Sequence, residues 1–157
     1  MIAMALACNP DLVIADEPGT ALDVIVQAQV MKLITELQRK LNLSVIMITH
    51  DLSLISETCD KLSIMYAGKI VESGDILTMF HKPLHPYTKG LISAFPHIKA
   101  AKHKMNSIPG SPPNLLNPPN GCRFYPRCSY AMDVCKKKVP ELKEVKKGHL
   151  IACHLIG

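Results

Sequence analysis

Two adjacent carboxylates, Asp16 and Glu17, close an apolar run in LVIADEP (residues 12–18), and His50 and Asp51 close a second, SVIMIT (44–49). Neighbouring strand residues point to opposite faces, so one acid can face a metal ion while the other faces a water. A metal-binding acid, a second acid and a histidine on one edge suit metal-assisted phosphoryl transfer to water. In such a reaction the protein mainly positions groups and stabilises charge. A second set of reactive groups lies far downstream, where Cys122, Cys128, Cys135 and Cys153 are spaced C-x5-C-x6-C-x17-C. These gaps are wider than the paired knuckles of zinc modules. Four thiols in a proline-rich stretch that buries little apolar surface still suggest a metal staple.

The first set needs a sheet to carry it. Residues 11–16 read as a short strand, with four consecutive apolar side chains suited to burial on both faces. From Asp23 to Leu41, the residues Val26, Val30, Leu33, Ile34, Leu37 and Leu41 fall at helical spacing, with Asp23 as cap. Residues 44–49 form a second, β-branched strand. Strand, long helix and strand make a βαβ unit with parallel strands, and ligands bind outside the carboxyl ends of such strands. Asp16, Glu17 and His50 all stand at those ends.

A short helix over 52–59 and a strand over 61–66 extend this pattern. Residues 66–71 read as strand, tight turn and return strand. Asp75 caps a helix reaching Phe80, Tyr87–Phe95 forms another, and IPGSPPNLLNPPNGC (108–122) is too rich in Pro, Gly and Asn for regular structure. Residues 1–8 read as the end of a helix.

Composition divides the chain. Residues 1–80 carry five Lys/Arg against ten Asp/Glu, whereas 81–157 carry thirteen against three, and ten of the twelve prolines lie beyond residue 82. Two regions are therefore expected, 1–81 and 82–157. No apolar run approaches the roughly 18 residues of a membrane span, and the N-terminal stretch makes a poor signal peptide. A cytosolic chain with reduced thiols follows as the expectation, which argues against a disulfide framework. Cys8 and Cys59 read as small core residues. His81 and His85 read as loop residues, because Pro83 and Pro86 spoil a helical metal pair. Lys136–Lys138 and Lys146–Lys147 read as a solvated face near a membrane partner. Few aromatics and no recognition pattern argue against nucleic acid.

Within this frame the residues resemble a family. LVIADEP is similar to the Walker B motif of ABC-transporter ATPases, TALD (20–23) to their D-loop, and ITHD (48–51) to their switch-histidine segment. The resemblance implies that Asp16 holds Mg²⁺ through water and that Glu17 orients or polarises the attacking water. It also implies that His50 senses the γ-phosphate of ATP and that Asp23 lies where two nucleotide-binding domains meet. Gly19 stands where the family usually carries Thr or Ser. The phosphate loop (Walker A), the Q-loop and the LSGGQ signature are missing; Gly68-Lys69 is followed by Ile70 and has no glycine five positions earlier. A piece of a longer protein is the expectation, with poor solubility or association from uncovered edges and apolar faces, and with neither ATP hydrolysis nor tight ATP binding by itself.

HPYTKGLISAFP (85–96) and IPGSPPNLLNPPNGCRFYPRCSYAMDVC (108–135) resemble the C-terminal extension of oligopeptide/dipeptide ABC-transporter ATPases. In that family, cysteines at this spacing hold an iron–sulfur cluster, generally four-iron four-sulfur. Arg123 and Arg127 would offset part of its charge. Zinc, with His149 or His154 as a substitute ligand, and metal-free thiols remain the alternatives. The expected fold is α/β: the C-terminal part of a P-loop NTPase domain with parallel strands, then a small irregular Cys-rich extension. The resemblance implies a peripheral subunit on the cytoplasmic face of the membrane, energising uptake of peptides or small solutes such as nickel complexes. It implies as partners a second ATPase subunit, two permeases and an extracytoplasmic binding protein. A non-catalytic metal-binding module and a gene remnant are the rival readings.

Overall fold

The computed structural model describes residues 2–94 and 108–156, so the end of the helix expected over 87–95 lies outside the described residues. The chain forms two compact units, 1–59 and 60–157, which divide ahead of the compositional boundary at 82.

In the first unit, α1 (Ile2–Leu6) precedes β1 (Leu12–Asp16), α2 (Val24–Leu41), β2 (Ser44–Ile48) and α3 (Leu52–Thr58). Strands β1 and β2 pair in parallel, from Leu12 opposite Ser44 to Asp16 opposite Ile48. Helix α2 starts where the Asp23 carboxylate accepts from the Ile25 and Val26 amides at 3.0 and 2.9 Å. It stops at Asn42, whose left-handed backbone closes the last turn onto the Gln38 carbonyl.

The strands are not buried on both faces as expected. Exposure alternates along each, and Ile14 is 61% exposed. Two strands cannot cover two apolar faces. The α2 stripe is likewise only partly covered: Val26, Leu33 and Leu41 are exposed, and Met31 is the helix's buried residue. An apolar cavity of about 570 Å³ runs between α1, β1, α2 and β2, lined among others by Leu6, Val13, Val30, Ile34 and Val45. Cys8 is exposed rather than a core residue, and Cys59 is half-buried.

The second unit is built on an antiparallel sheet. Strands β3 (Lys61–Tyr66), β4 (Lys69–Asp75), β5 (Lys143–Lys146) and β6 (His149–Ile151) lie in the order β3-β4-β6-β5. Strand β3 therefore does not extend the parallel pattern; it pairs back on β4 through a two-residue turn. Ala67 and Gly68 both have positive φ (48° and 77°), as this tight hairpin demands. Helices α4 (Ile76–His81) and α5 (Pro86–Ser93) follow, capped by Asp75 and by the His85 ring. Residues 108–121 form no helix or strand, as their composition predicts. The rest of the tail is more regular than expected: a 3-10 turn (Tyr125–Arg127), α6 (Asp133–Lys137), and β5 and β6, which complete the sheet.

One face of this sheet is a true core. Leu62, Ile64 and Tyr66 alternate inward, and Val71, Met79, Ile92, Phe124 and Ile151 are buried. The rings of Tyr66, Tyr87 and Phe124 meet at 4.7–5.3 Å between centroids, in the tilted and edge-on geometries that aromatic quadrupoles favour.

Candidate functional site at the strand ends and the cysteine tail

Parallel pairing puts the ends of β1 and β2 side by side, and one more backbone bond extends the contact: the Glu17 N–H donates to the Ile48 carbonyl at 2.8 Å. Beyond it Glu17 turns into the left-handed region (φ 47°). His50, two residues past β2, meets it there, with Nδ1 2.8 Å from Glu17 Oε1. Thr20 Oγ1 donates to Glu17 Oε2 at 3.2 Å, so both carboxylate oxygens are engaged.

The hydrogen bond to His50 holds the Glu17 carboxyl below its usual range, and the bond to Glu17 raises the His50 imidazole. The pair is therefore intact from below the ordinary carboxyl range to above the ordinary imidazole range. It is lost as pH falls through the lowered Glu17 value or rises through the raised His50 value. The His50 side chain is 85% exposed, so the pair adds little to stability. With Nδ1–H committed to Glu17, Nε2 faces outward and has no partner among the described residues. Asp16 is exposed at the end of β1 and makes no ion pair or side-chain hydrogen bond among the described residues, so its carboxylate is free for a hydrated cation. Asp51 caps α3 through the Ser53 and Leu54 amides. Asp23 caps α2, as its position predicts.

The four tail cysteines are free thiols. Cys122 and Cys135 are drawn together by a 2.8 Å bond from the Cys122 N–H to the Cys135 carbonyl. This approach needs Gly121, because a Cβ there would overlap that carbonyl. Burial pushes the Cys122, Cys128 and Cys153 thiols up, and the charge of neighbouring cysteines adds to it, so the four share one neighbourhood. Against this, the amides of Phe124, Tyr130 and Leu155, each two residues on, donate to the three sulfurs and favour thiolate. Such N–H···S bonds also tune metal–thiolate centres. Among the described residues, however, no three His, Cys, Asp or Glu side chains reach a geometry that would hold a metal ion.

The substitute ligands are engaged elsewhere. His149 Nε2 lies 2.8 Å from Glu72 Oε1, and His154 Nε2 donates to the Lys138 carbonyl at 2.9 Å. Arg123 donates to the Ala67 carbonyl. Arg127 donates to the Pro109 and Ile108 carbonyls and to the Tyr66 hydroxyl, at 2.8, 3.3 and 3.3 Å. Both arginines fasten the tail to its own sheet.

Sequence reasoning missed a buried polar centre. Glu72 is fully buried, and its oxygens accept from the Leu84 and His85 amides (2.7 and 3.0 Å) and pair with His149. His81, expected in a loop, is instead the last residue of α4. His85 stands in the loop ahead of α5, as expected, but is buried there, and its Nδ1 accepts from the Tyr87 amide at 3.0 Å. Burial lowers its imidazole to about 4, against a smaller upward pull from Glu72. The sequence gives little signal for this centre beyond an acid, Glu72, directly after the apolar pair Ile70-Val71 in β4.

Comparison with known proteins fits these observations. The family described as "Oligopeptide/dipeptide transporter, C-terminal region" matches residues 71–135. The oligopeptide transport ATP-binding protein OppD of Escherichia coli is 53% identical over 153 residues, which is 98% of this chain and 45% of that protein. The dipeptide transport ATP-binding protein DppD of Escherichia coli is 49% identical over 154 residues, 98% of this chain and 47% of that one. The chain thus spans a little under half the length of these relatives. Among solved structures, cbiO1 from Clostridium perfringens, described as part of the ABC transporter complex cbiONQ, is 32% identical with a TM-score of 0.48. That match covers 52% of this chain and 32% of the other.

Proposed function

Because this chain belongs to the family of ATP-binding proteins of oligopeptide and dipeptide transport, we propose that it supplies the water-activating part of an ATPase that powers uptake of peptides or similar small solutes. The observation that carries this reading is the 2.8 Å contact between Glu17 and His50 at the carboxyl ends of two parallel strands. Held by His50 and Thr20, the ionised Glu17 carboxylate keeps an oxygen lone pair aimed at the attacking water and polarises it. A cationic His50 presents its outward Nε2–H to the γ-phosphate, where negative charge accumulates. Asp16 holds Mg²⁺ through water, and that ion neutralises phosphate charge when bound. Asp23 lies at the contact with a second ATPase subunit, with two permeases and an extracytoplasmic binding protein completing a peripheral assembly at the cytoplasmic membrane face. The phosphates are cradled by residues outside these 157, and the uncovered faces of β1 and β2 are where the remainder of the domain packs. Alone, this chain neither hydrolyses ATP nor binds it tightly.

For the tail, the reading is an iron–sulfur cluster on Cys122, Cys128, Cys135 and Cys153, in a C-terminal extension that begins near residue 82. Shared electrostatics and three N–H···S donors support thiolate ligation. A cluster spreads its four sulfurs further apart than a single ion at about 2.3 Å from each would. Anaerobic purification with iron and sulfide assays separates a cluster from zinc or bare thiols.

The main test replaces the matching segment of the Escherichia coli oligopeptide relative with this chain. The chimera is expected to hydrolyse ATP, and its Glu17→Gln variant to bind nucleotide without turnover. Unchanged turnover in that variant would remove the assignment of Glu17.

A further inference from the structure

The loop between β1 and α2 is awkwardly shaped and thinly supported from within. Glu17 and Ala21 both hold positive φ (47° and 63°), a region that residues with side chains occupy only when their surroundings impose it. The internal bonds are few: the Thr20 amide and hydroxyl to Glu17, at 3.1 and 3.2 Å, and the Leu22 amide to Gly19 at 3.3 Å. Something outside the loop must fix its course.

Gln27, on the first turns of α2, is placed to do so. It is half-buried where its neighbours Val26 and Ala28 are exposed. Its side chain lies flat on Gly19: a Cβ built there would stand 2.8 Å from Gln27 Cδ and 2.9 Å from Cγ and Nε2. Gly19 does not have a left-handed backbone, so what a Cβ there would meet is the Gln27 side chain, which would have to move aside. The same Gln27 amide lies near enough to the Asp51 carboxylate, next to His50, to help hold it below its usual range after the stronger hold of Ser53.

We infer that Gln27 is a positioning residue, whose side chain braces the loop bearing Glu17 against the segment bearing His50 and so holds their 2.8 Å contact. Its functional meaning rests on the phosphoryl-transfer reading above. Gly19 is then the space that admits the brace.

The test is ¹⁵N NMR of the His50 ring in the 157-residue chain, which reads the brace whether or not ATP is the substrate. In the parent chain, Nδ1 is expected at a hydrogen-bonded position and Nε2 at a free one. Gln27→Ala moves Nδ1 to the value of an unpaired imidazole while the α2 amide signals persist. Gly19→Ala does the same by displacing Gln27, and the double variant adds nothing to Gln27→Ala. Gln27→Met keeps the stem over Gly19 without the amide and gives an intermediate shift. If Gln27→Ala disorders α2, Gly19→Ala and Gln27→Met carry the test. An unmoved Nδ1 in either Gly19→Ala or Gln27→Ala, independent addition of the two effects, or a parent-like Gln27→Met overturns the brace. Loss of the brace with Glu17-dependent turnover intact in the chimera leaves the ATPase reading standing. An intact brace with Glu17-independent turnover refutes that reading alone.

Discussion

The two units of this chain handle polar groups in opposite ways. In residues 60–157, a carboxylate and two imidazoles are buried beside an aromatic cluster, and Glu72 is satisfied by three donors from three separate residues. In residues 1–59, the carboxylate–imidazole pair stands in solvent at the strand ends, and the apolar surface around it is incompletely covered. The same pair of functional groups is fully enclosed in one place and open to solvent in the other. A buried polar pair must have fixed partners because nothing else can satisfy it, whereas an exposed pair keeps a free nitrogen that can meet a ligand.

The largest effect that would break this contrast is at Glu72. Glu72→Ala strands two backbone amides and the His149 ring in the interior, and should cost about 3–5 kcal/mol. Glu72→Gln retains one acceptor and should cost less. The chain has no tryptophan and all four tyrosines lie beyond residue 60, so tyrosine emission during urea unfolding reports this unit. A loss under about 1 kcal/mol would mean the buried centre is not structural. Acid should act through the same centre. The His85 imidazole is lowered by burial from 6.5 to about 4, so between those values the unfolded chain binds a proton that the folded one refuses. Stability is full above about pH 6.5 and falls by about 3 kcal/mol as pH drops to about 4. His85→Gln should flatten that slope, and an unchanged slope would remove burial of His85 as its cause.

What was legible in the sequence follows the same division. The βαβ unit, the Asp23 cap, the hairpin at Ala67-Gly68 and the meeting of Glu17 with His50 depend on local periodicity and on the rule for parallel strands, which a sequence displays directly. The hairpin made the pairing of β3 with β4 legible, but not that both belong to a sheet separate from β1 and β2, because β4 completes it with a strand some eighty residues away. The Glu72–His149 contact spans 77 positions for the same reason. Four apolar residues in a row at 12–15 suggested burial on both faces. That pattern records what the strand is suited to, not whether two strands suffice to provide it.

Smaller perturbations sharpen the comparison from the side of the first unit. Asp23→Ala removes the acceptor for the Ile25 and Val26 amides and should lower stability by about 1 kcal/mol. Far-ultraviolet circular dichroism follows it, because α2 is the longest described helix, and tyrosine emission from the second unit should move less than the helical signal. The smallest expected effect on stability is at Ile14 and Ile46, which lie opposite each other on the exposed face of β1 and β2. Changing both to threonine keeps the β-branch that suits a strand and removes apolar surface already in water. The change should stay within about 0.5 kcal/mol of the parent. It should nevertheless reduce self-association in sedimentation velocity, since an uncovered apolar sheet face drives association rather than folding. A large loss of stability instead would mean that this face is packed in the free chain, and the contrast between a covered and an uncovered unit would fail.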